Sequence, residues 1–478
     1  MTAFFIAQIV AALAGATLLL TLRAWRLPVP LFVVSAWLAG TGMLAVERLI
    51  LAQLGVGWGA ITLASPWLAV AGVAVWRLRG ERSTTMRAWV RRWQRLPGRL
   101  LHAGFVLDAA VMLAIIVWTA AMFWQATNQP LAGWDAWSIW FLKGRALYQA
   151  GGLPMEFFTD LRFLPYAHLD YPLLVPLTIA GTYAWTGDLD TLMKGWWPML
   201  AGAAAVAMYW GLEGLVGRAA RFSGLLLLVA LPELSAHTVG YYVGYADLPL
   251  AVMVLFGGLF LYRWVRQQCS GDFALAALFF SLAGFTKNEG QVTAISGLAL
   301  LVGLSVLRRR PMSDSAIAGI AAAAVLLPWH LQREALGLTS EFHPSLLAIV
   351  TAWPDRIGPI TQALTALLTD TARFNHLWPV LPLLALAALV FAPQRWLTTL
   401  PALLLLMVQA TADVVAYLIT PNDLTFQLTT SADRVIFQSV PLALLLGTIH
   451  LGLLFDRPRD ARSSLGVVPS PRRGRGTG

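Results

Sequence analysis

The chain has 478 residues, 58% hydrophobic and only 12% charged, with a formal net charge of +10. A soluble domain carries about 25% charged residues, so this chain cannot cover a water-facing surface and must lay apolar surface against lipid. Its one cysteine, Cys269, excludes an internal disulfide and a multi-thiolate metal site. The basic surplus lies in short loops and a tail beside apolar runs, which reads as a topology signal and not as a nucleic-acid footprint.

A bilayer crossing needs about 20 apolar residues. Thirteen stretches of that kind follow in chain order, at 3–22, 29–46, 59–76, 104–125, 190–212, 223–240, 247–265, 272–286, 291–307, 314–331, 376–392, 397–419 and 435–455. The expected fold is therefore an all-α polytopic membrane protein with about 13 transmembrane helices. The first stretch has no basic residue ahead of it, and Arg23 and Arg26 follow it. That order is the reverse of a cleaved signal peptide and reads as a retained span. Residues 171–186 are also apolar, but they are short and interrupted by Pro172 and Pro176. Counting them as a span would invert the orientation of everything downstream, so they read as an interfacial or re-entrant helix.

Orientation follows from lysine and arginine. Arg23, Arg26, the arginines of 77–99, Arg218, Arg221, Arg263, Arg266, Arg308 to Arg310, Arg395 and the tail together make 24 of the 34 basic residues, all on one side. That side is expected to be cytoplasmic, in a multi-pass protein of the cell inner membrane. Three units result: residues 1–103, with three leading spans and an Arg- and Trp-rich cytoplasmic loop that rests on anionic lipid; residues 104–455, a membrane domain with long outer loops at 126–189 and 332–375; and residues 456–478, a basic tail of disordered composition. No tandem repeat is evident.

Ionisable residues near membrane depth are costly and are functional candidates by default. The topology brings five stretches to the outer face: GWDAWSIWFLKGRALYQAGG with Asp135, Lys143 and Arg145; HLDYP with His168, Asp170 and Tyr171; GYADLP with Asp247; FTKNEGQ with Lys287 and Glu289; and SADRVIFQ with Asp433 and Arg434. Asp108, Glu213 and Asp272 fall toward the other side and read as structural. Trp134, Trp137 and Phe141 have the spacing of one face of an interfacial helix. A carboxylate against such a face loses part of its hydration, which is the setting a general base uses; the alternative is an anchoring helix with a wet aspartate. Asp247 has a second reading as a helix cap ahead of Pro249. Lys287 could neutralise a phosphate or simply pair with Glu289, and Arg434 could clamp a phosphate or pair with Asp433. His168 and Asp170 have metal-compatible spacing, for which a structural role is the simpler reading.

This layout and these motifs resemble the GT-C-fold membrane glycosyltransferases, the superfamily of protein O-mannosyltransferases and aminoarabinose transferases, over roughly 104–455. The resemblance implies a GT-C-like core in which Asp135 in the first outer loop is the catalytic base and Asp247 is a second acid that orients the acceptor or holds a metal. HLDYPLLVPL resembles the interfacial helix that closes that loop. Lys287 and Arg434, with Lys143 and Arg145 in reserve, would bind donor phosphate. Trp134, Trp137, His168, Asp170, Tyr171 and Glu289 would support them. The implied donor is a polyprenyl-phosphate-linked sugar, transferred with inversion on the periplasmic face to a glycan, lipid or protein acceptor, with Mg or Mn as the only cofactor in view. The chain departs from the pattern in having a lone acid where the family often has a pair. It also has three extra leading spans and lacks the large soluble C-terminal domain of the oligosaccharyltransferase catalytic subunit. Two other classes compete: an O-antigen ligase or polymerase, which would use His343, Arg356 and Arg373 of the second outer loop, and a lipid-linked sugar flippase.

Overall fold

The computed structural model describes residues 1–81, 103–160, 162–187, 190–340, 342 and 345–455. Most of the arginine-rich loop 77–99, His343 and the tail 456–478 lie outside the described residues. All regular structure described is helical. In chain order the main helices are α1 (Thr2–Thr21), α2 (Val29–Gln53), α3 (Ala60–Glu81), α4 (Ala103–Thr127), α5 (Leu142–Ala150), α6 (Leu174–Thr186), α7 (Trp196–Trp210), α8 (Arg218–Val229), α9 (Pro232–Thr238), α10 (Asp247–Gln267), α11 (Ser270–Thr286), α12 (Asn288–Leu307), α13 (Met312–Ala335), α14 (Leu346–Leu368), α15 (Leu377–Phe391), α16 (Leu400–Ile419) and α17 (Leu424–Phe455).

Among the described residues nine helices are long and apolar enough to cross a membrane, or ten if α8 and α9, bent by 58° at their junction, form one broken span. The chain is thus a multi-pass membrane protein. Helices stand at the other expected positions too, but α7, α11 and α15 have only 15, 17 and 15 residues. The α8–α9 break is explained by Pro232, which cannot supply the N–H that a continuous helix needs.

The centre of the bundle is α10, which is buried from Asp247 to Val265. Its sequence from Leu248 to Leu261 contains no polar side chain on any face, and a helix apolar all round belongs inside. It packs against α7, α11 and α17. At the other extreme, α3 and α4 bury little and present Leu68, Trp76, Leu113, Ile116 and Val117 outward, as lipid-facing helices do. Helix α17 has 32 residues, or roughly 48 Å at 1.5 Å per residue. It therefore outruns a hydrocarbon core of about 30 Å and extends beyond it.

The leading helices are not an appendage. α1 and α2 share one hydrophobic core with the later helices, and they cross through small residues. A Cβ on Gly40 would stand 1.8 Å from the Ala11 carbonyl oxygen, and one on Gly15 1.7 Å from that of Ala36. This is the small-xxx-small packing by which membrane helices gain van der Waals contact. Gly40→Leu is therefore expected to push α1 away, at about 1–3 kcal/mol or more. A thermal melt of the detergent-solubilised protein checks this, and a variant that melts like wild type contradicts the contact.

Of the interfacial and re-entrant alternatives for residues 171–186, the interfacial one needs correction. Residues 171–186 do form a helix, α6, but it does not lie on a surface. Leu174 to Tyr183 are buried, enclosed by α1, α2, α5 and α11. With 13 residues it is roughly 20 Å long, too short to cross alone. The second outer loop contains the 23-residue α14. Ser345 caps this helix by accepting from the Ala348 N–H. Arg356 at its middle donates to the carbonyls of Leu418 and Thr420, at 3.0 and 2.8 Å, and so closes the C-terminal end of α16.

The bundle has two chemically distinct ends. At one, Arg77 meets the end of α1, Arg308 and Arg310 meet the end of α10, and Arg263 pairs with Asp272. Asp108 there is held by Tyr209 and Arg218. Helix α10 runs from this end to the other over 21 residues, roughly 31 Å, and there it begins with Asp247.

Candidate functional site

Asp247 points sideways into the bundle, with 1% of its side chain exposed. No side chain caps α10, so the capping alternative is overturned. Its Oδ1 accepts from Lys287 Nζ at 2.9 Å and Gln438 Nε2 at 2.7 Å, and its Oδ2 lies 3.9 Å from Arg434 Nη1. Lys287 stands in extended backbone at the corner between α11 and α12 and also pairs with Glu289 at 2.7 Å.

Arg434 lies roughly 15 Å along α17 from its start, and Gln438 sits one turn further on the same face. The Arg434 guanidinium donates to Asp135 Oδ2 at 2.5 Å and to the Thr430 carbonyl at 3.1 Å. It lies over the Tyr245 ring, 4.9 Å from its centroid, a cation–π contact. The expected alternative partner, Asp433, takes only the Arg434 backbone N–H. Its carboxylate is occupied by Tyr242 and Arg373, both at 2.6 Å. Arg373 also reaches the buried Glu233 at 3.2 Å.

The structure thus joins Glu289, Lys287, Asp247, Arg434 and Asp135 in one alternating run of charges. Asp247 sits at the middle and the two ends are comparably open, with 24% of the Asp135 side chain and 25% of the Glu289 side chain exposed. The Asp135 backbone N–H donates to the Tyr245 hydroxyl at 3.3 Å. Burial first, and the neighbouring carboxylates Asp135 and Asp433 second, push the Tyr245 and Tyr242 phenols upward, so both remain hydroxyls at working pH.

Directly after Asp135 the chain makes a π-helical turn, Ala136–Phe141, a feature frequent at functional sites. The widened turn breaks the expected aromatic face. Trp134 and Trp137 are exposed and meet edge to face. Phe141 is buried and stacks on Trp197.

Behind the site, Lys143 on α5 is fully enclosed. Its Nζ donates to the His168 carbonyl at 2.7 Å and lies near the faces of Trp140 and Tyr171. His168 has a left-handed backbone, φ 43°, and its ring stacks on Tyr171. This turn presents Asp170, which accepts from Asn288 at 2.8 Å, the residue between Lys287 and Glu289. Lys143 and Asp170 thereby brace the corner that carries Lys287. Arg145 pairs with Asp190 instead, at 2.7 Å, and Asp190 also accepts from the Tyr183 hydroxyl. As they stand, neither reserve cation joins the run of charges.

Burial lowers the Lys143 ammonium to about 7 from its ordinary 10.5, against the opposing pull of Asp170. Between those values the unfolded chain holds a proton that the folded one does not, so stability rises with pH across that window. Thermal midpoints of wild type are expected to climb relative to Lys143→Met between pH 7 and 9. Parallel pH profiles would remove the buried ammonium from the account.

Some members of the site are not apparent from sequence: Gln438, Tyr242, Tyr245, Asn288 and Glu233. The i, i+4 spacing of Arg434 and Gln438 was the available signal for one, and the position of Asn288 inside KNEG for another. Glu233 gave no signal before the α8–α9 break was known. Among the described residues no three of His, Cys, Asp and Glu come together as a metal-holding group, and Asp247 is already engaged by Lys287, Gln438 and Arg434, so its surroundings do not fit a divalent ion. No family model, curated protein or solved structure matches the chain.

Proposed function

We propose that the chain is a membrane glycosyltransferase with a GT-C-like core. It moves a sugar from a polyprenyl-phosphate donor to a hydroxyl of a glycan, lipid or protein on the outer, periplasmic face of the inner membrane. The observation that carries this reading is that Arg434 is shared between Asp135 and Asp247, at the end of the bundle away from the arginine-rich loops. Transfer from a lipid phosphate needs a base for the acceptor and fixed cations for the leaving group. Both kinds of group are adjacent here, and each is held by the other while no substrate is bound.

On this reading the donor phosphate draws Arg434 off Asp135. The freed carboxylate takes the proton of the acceptor hydroxyl as its oxygen bonds to the anomeric carbon. The bond from that carbon to the phosphate oxygen breaks with inversion, and polyprenyl phosphate leaves with the electron pair, facing Arg434 and Lys287. Asp247 is saturated by its three partners, which supports a role as holder of both cations and not as a second base. No step is routed through a metal. Arg356 is committed to the end of α16, which leaves less of the arginine set that an O-antigen ligase would use.

The test is mass spectrometry of envelope glycolipids and glycoproteins from a strain lacking the chain, complemented with wild type or Asp135→Asn. A sugar lost in the deletion, restored by wild type and not by the variant, is the expected result. An unchanged glycan profile in the deletion would overturn the reading.

A further inference from the structure

The Asp135 end of the charge run is bordered by aromatic rings that no step of the proposed transfer uses. Trp134 and Trp137 are both exposed, with ring centroids 4.5 Å apart and planes at 69°. The two rings form a corner, and Asp135 lies between them in the chain, partly exposed. The neighbouring turn adds exposed Tyr241, whose ring lies 6.3 Å from that of Tyr245. Tyr245 in turn lies under the Arg434 guanidinium, so the exposed rings connect to the charge run.

The local chain holds this corner in place. The π-helical turn leaves Trp137 outside while Phe141 goes inward onto Trp197. The Trp134 carbonyl accepts from the Ser138 hydroxyl at 2.8 Å. A Cβ on Gly133 would stand 2.5 Å from the Tyr241 carbonyl oxygen, so glycine is what lets the two turns meet. Anchoring in lipid headgroups, the other use of exposed tryptophan, needs exposure alone. It does not need two fixed ring planes on either side of a carboxylate.

Such a corner has the chemistry that recognises carbohydrate. One face of a pyranose is a patch of polarised C–H groups, which the negative face of an aromatic ring attracts. Its edge is a set of hydroxyls, which donate to a carboxylate and accept from an indole N–H. A serine or threonine of a polypeptide offers one hydroxyl and no such face, and a lipid alcohol brings a flexible chain instead.

We propose that the acceptor is a glycan whose terminal pyranose stacks in the corner of Trp134 and Trp137 and so presents one hydroxyl to Asp135. This rests on the transferase reading and narrows its acceptor to one class. The bond formed joins that hydroxyl oxygen to the anomeric carbon of the donor. The hydroxyl proton goes to Asp135, and polyprenyl phosphate leaves with the electron pair.

The experiment is linkage analysis, by methylation and mass spectrometry, of the envelope molecule that loses its sugar in the deletion strain. The expected result is a free ring hydroxyl where wild type carries the transferred sugar. A sugar missing instead from a serine, a threonine or a lipid alcohol would overturn the glycan acceptor and leave the transferase reading standing. An unchanged profile would remove both. The unsubstituted glycan purified from that strain then serves as the probe for transfer by the full chain. Its KM is expected to rise about three- to tenfold in Trp134→Ala and in Trp137→Ala, with polyprenyl-phosphate affinity unchanged and Trp137→Phe recovering most of the loss. A KM equal to wild type in both folded alanine variants would make the tryptophans membrane anchors and overturn the site.

Discussion

Asp135→Asn is expected to yield a folded, membrane-inserted protein whose transfer rate falls by about 10²–10⁴, the usual loss when a positioned base is removed. The fold should tolerate it because Asp135 is partly exposed and Arg434 keeps Asp247, Thr430 and the Tyr245 ring. The same change has a second consequence of opposite sign. Asp135 competes with the donor phosphate for Arg434, so neutralising it should tighten binding of polyprenyl phosphate while abolishing transfer. A merely structural aspartate would move neither quantity, or would lower both through unfolding. Near wild-type turnover in a folded Asp135→Asn protein would remove this residue from catalysis.

Asp247→Leu should behave in the other way, as a stability defect. Its carboxylate is buried against Lys287, Gln438 and Arg434. Removing one partner of a buried ion pair leaves an uncompensated charge and costs about 3–5 kcal/mol. Lys287 keeps only Glu289 after that change. The signature is in the double variant: Asp247→Leu with Lys287→Met removes the stranded ammonium and should recover a large part of the lost thermal stability, although it deletes more polar contacts. A double variant no more stable than Asp247→Leu alone would mean that packing, not charge, accounts for the loss.

The sequence showed the membrane character, because 12% charge in 478 residues admits no other compact solution, and each apolar run coincides with a helix. Lengths were less legible. Whether 376–392 or 272–286 is a full crossing depends on neighbours that cover its ends, and hydropathy does not report that cover. Whether 171–186 is interfacial or re-entrant was left open because α1, α2 and α5, which bury α6, come together only in the tertiary fold. The π-helical turn after Asp135 was invisible because spacings of three and four suit an ordinary helix equally well, and it alone sends Phe141 inward while Trp137 stays out. Asp135, Asp247, Lys287 and Arg434 could be named individually because ionisable residues at span ends stand out against apolar sequence. Their partners could not. Nothing in SADRVIFQ says that Arg434 reaches across 299 positions to Asp135 while its neighbour Asp433 turns to Arg373.

The most direct measurement is the affinity of the purified protein for polyprenyl phosphate, compared between wild type and Arg434→Gln at matched thermal stability. A charged hydrogen bond to phosphate contributes about 1.5–3 kcal/mol, so the variant should bind about ten- to a hundredfold more weakly. Binding by Arg434→Gln equal to wild type would contradict the assignment of this charge run to a lipid phosphate.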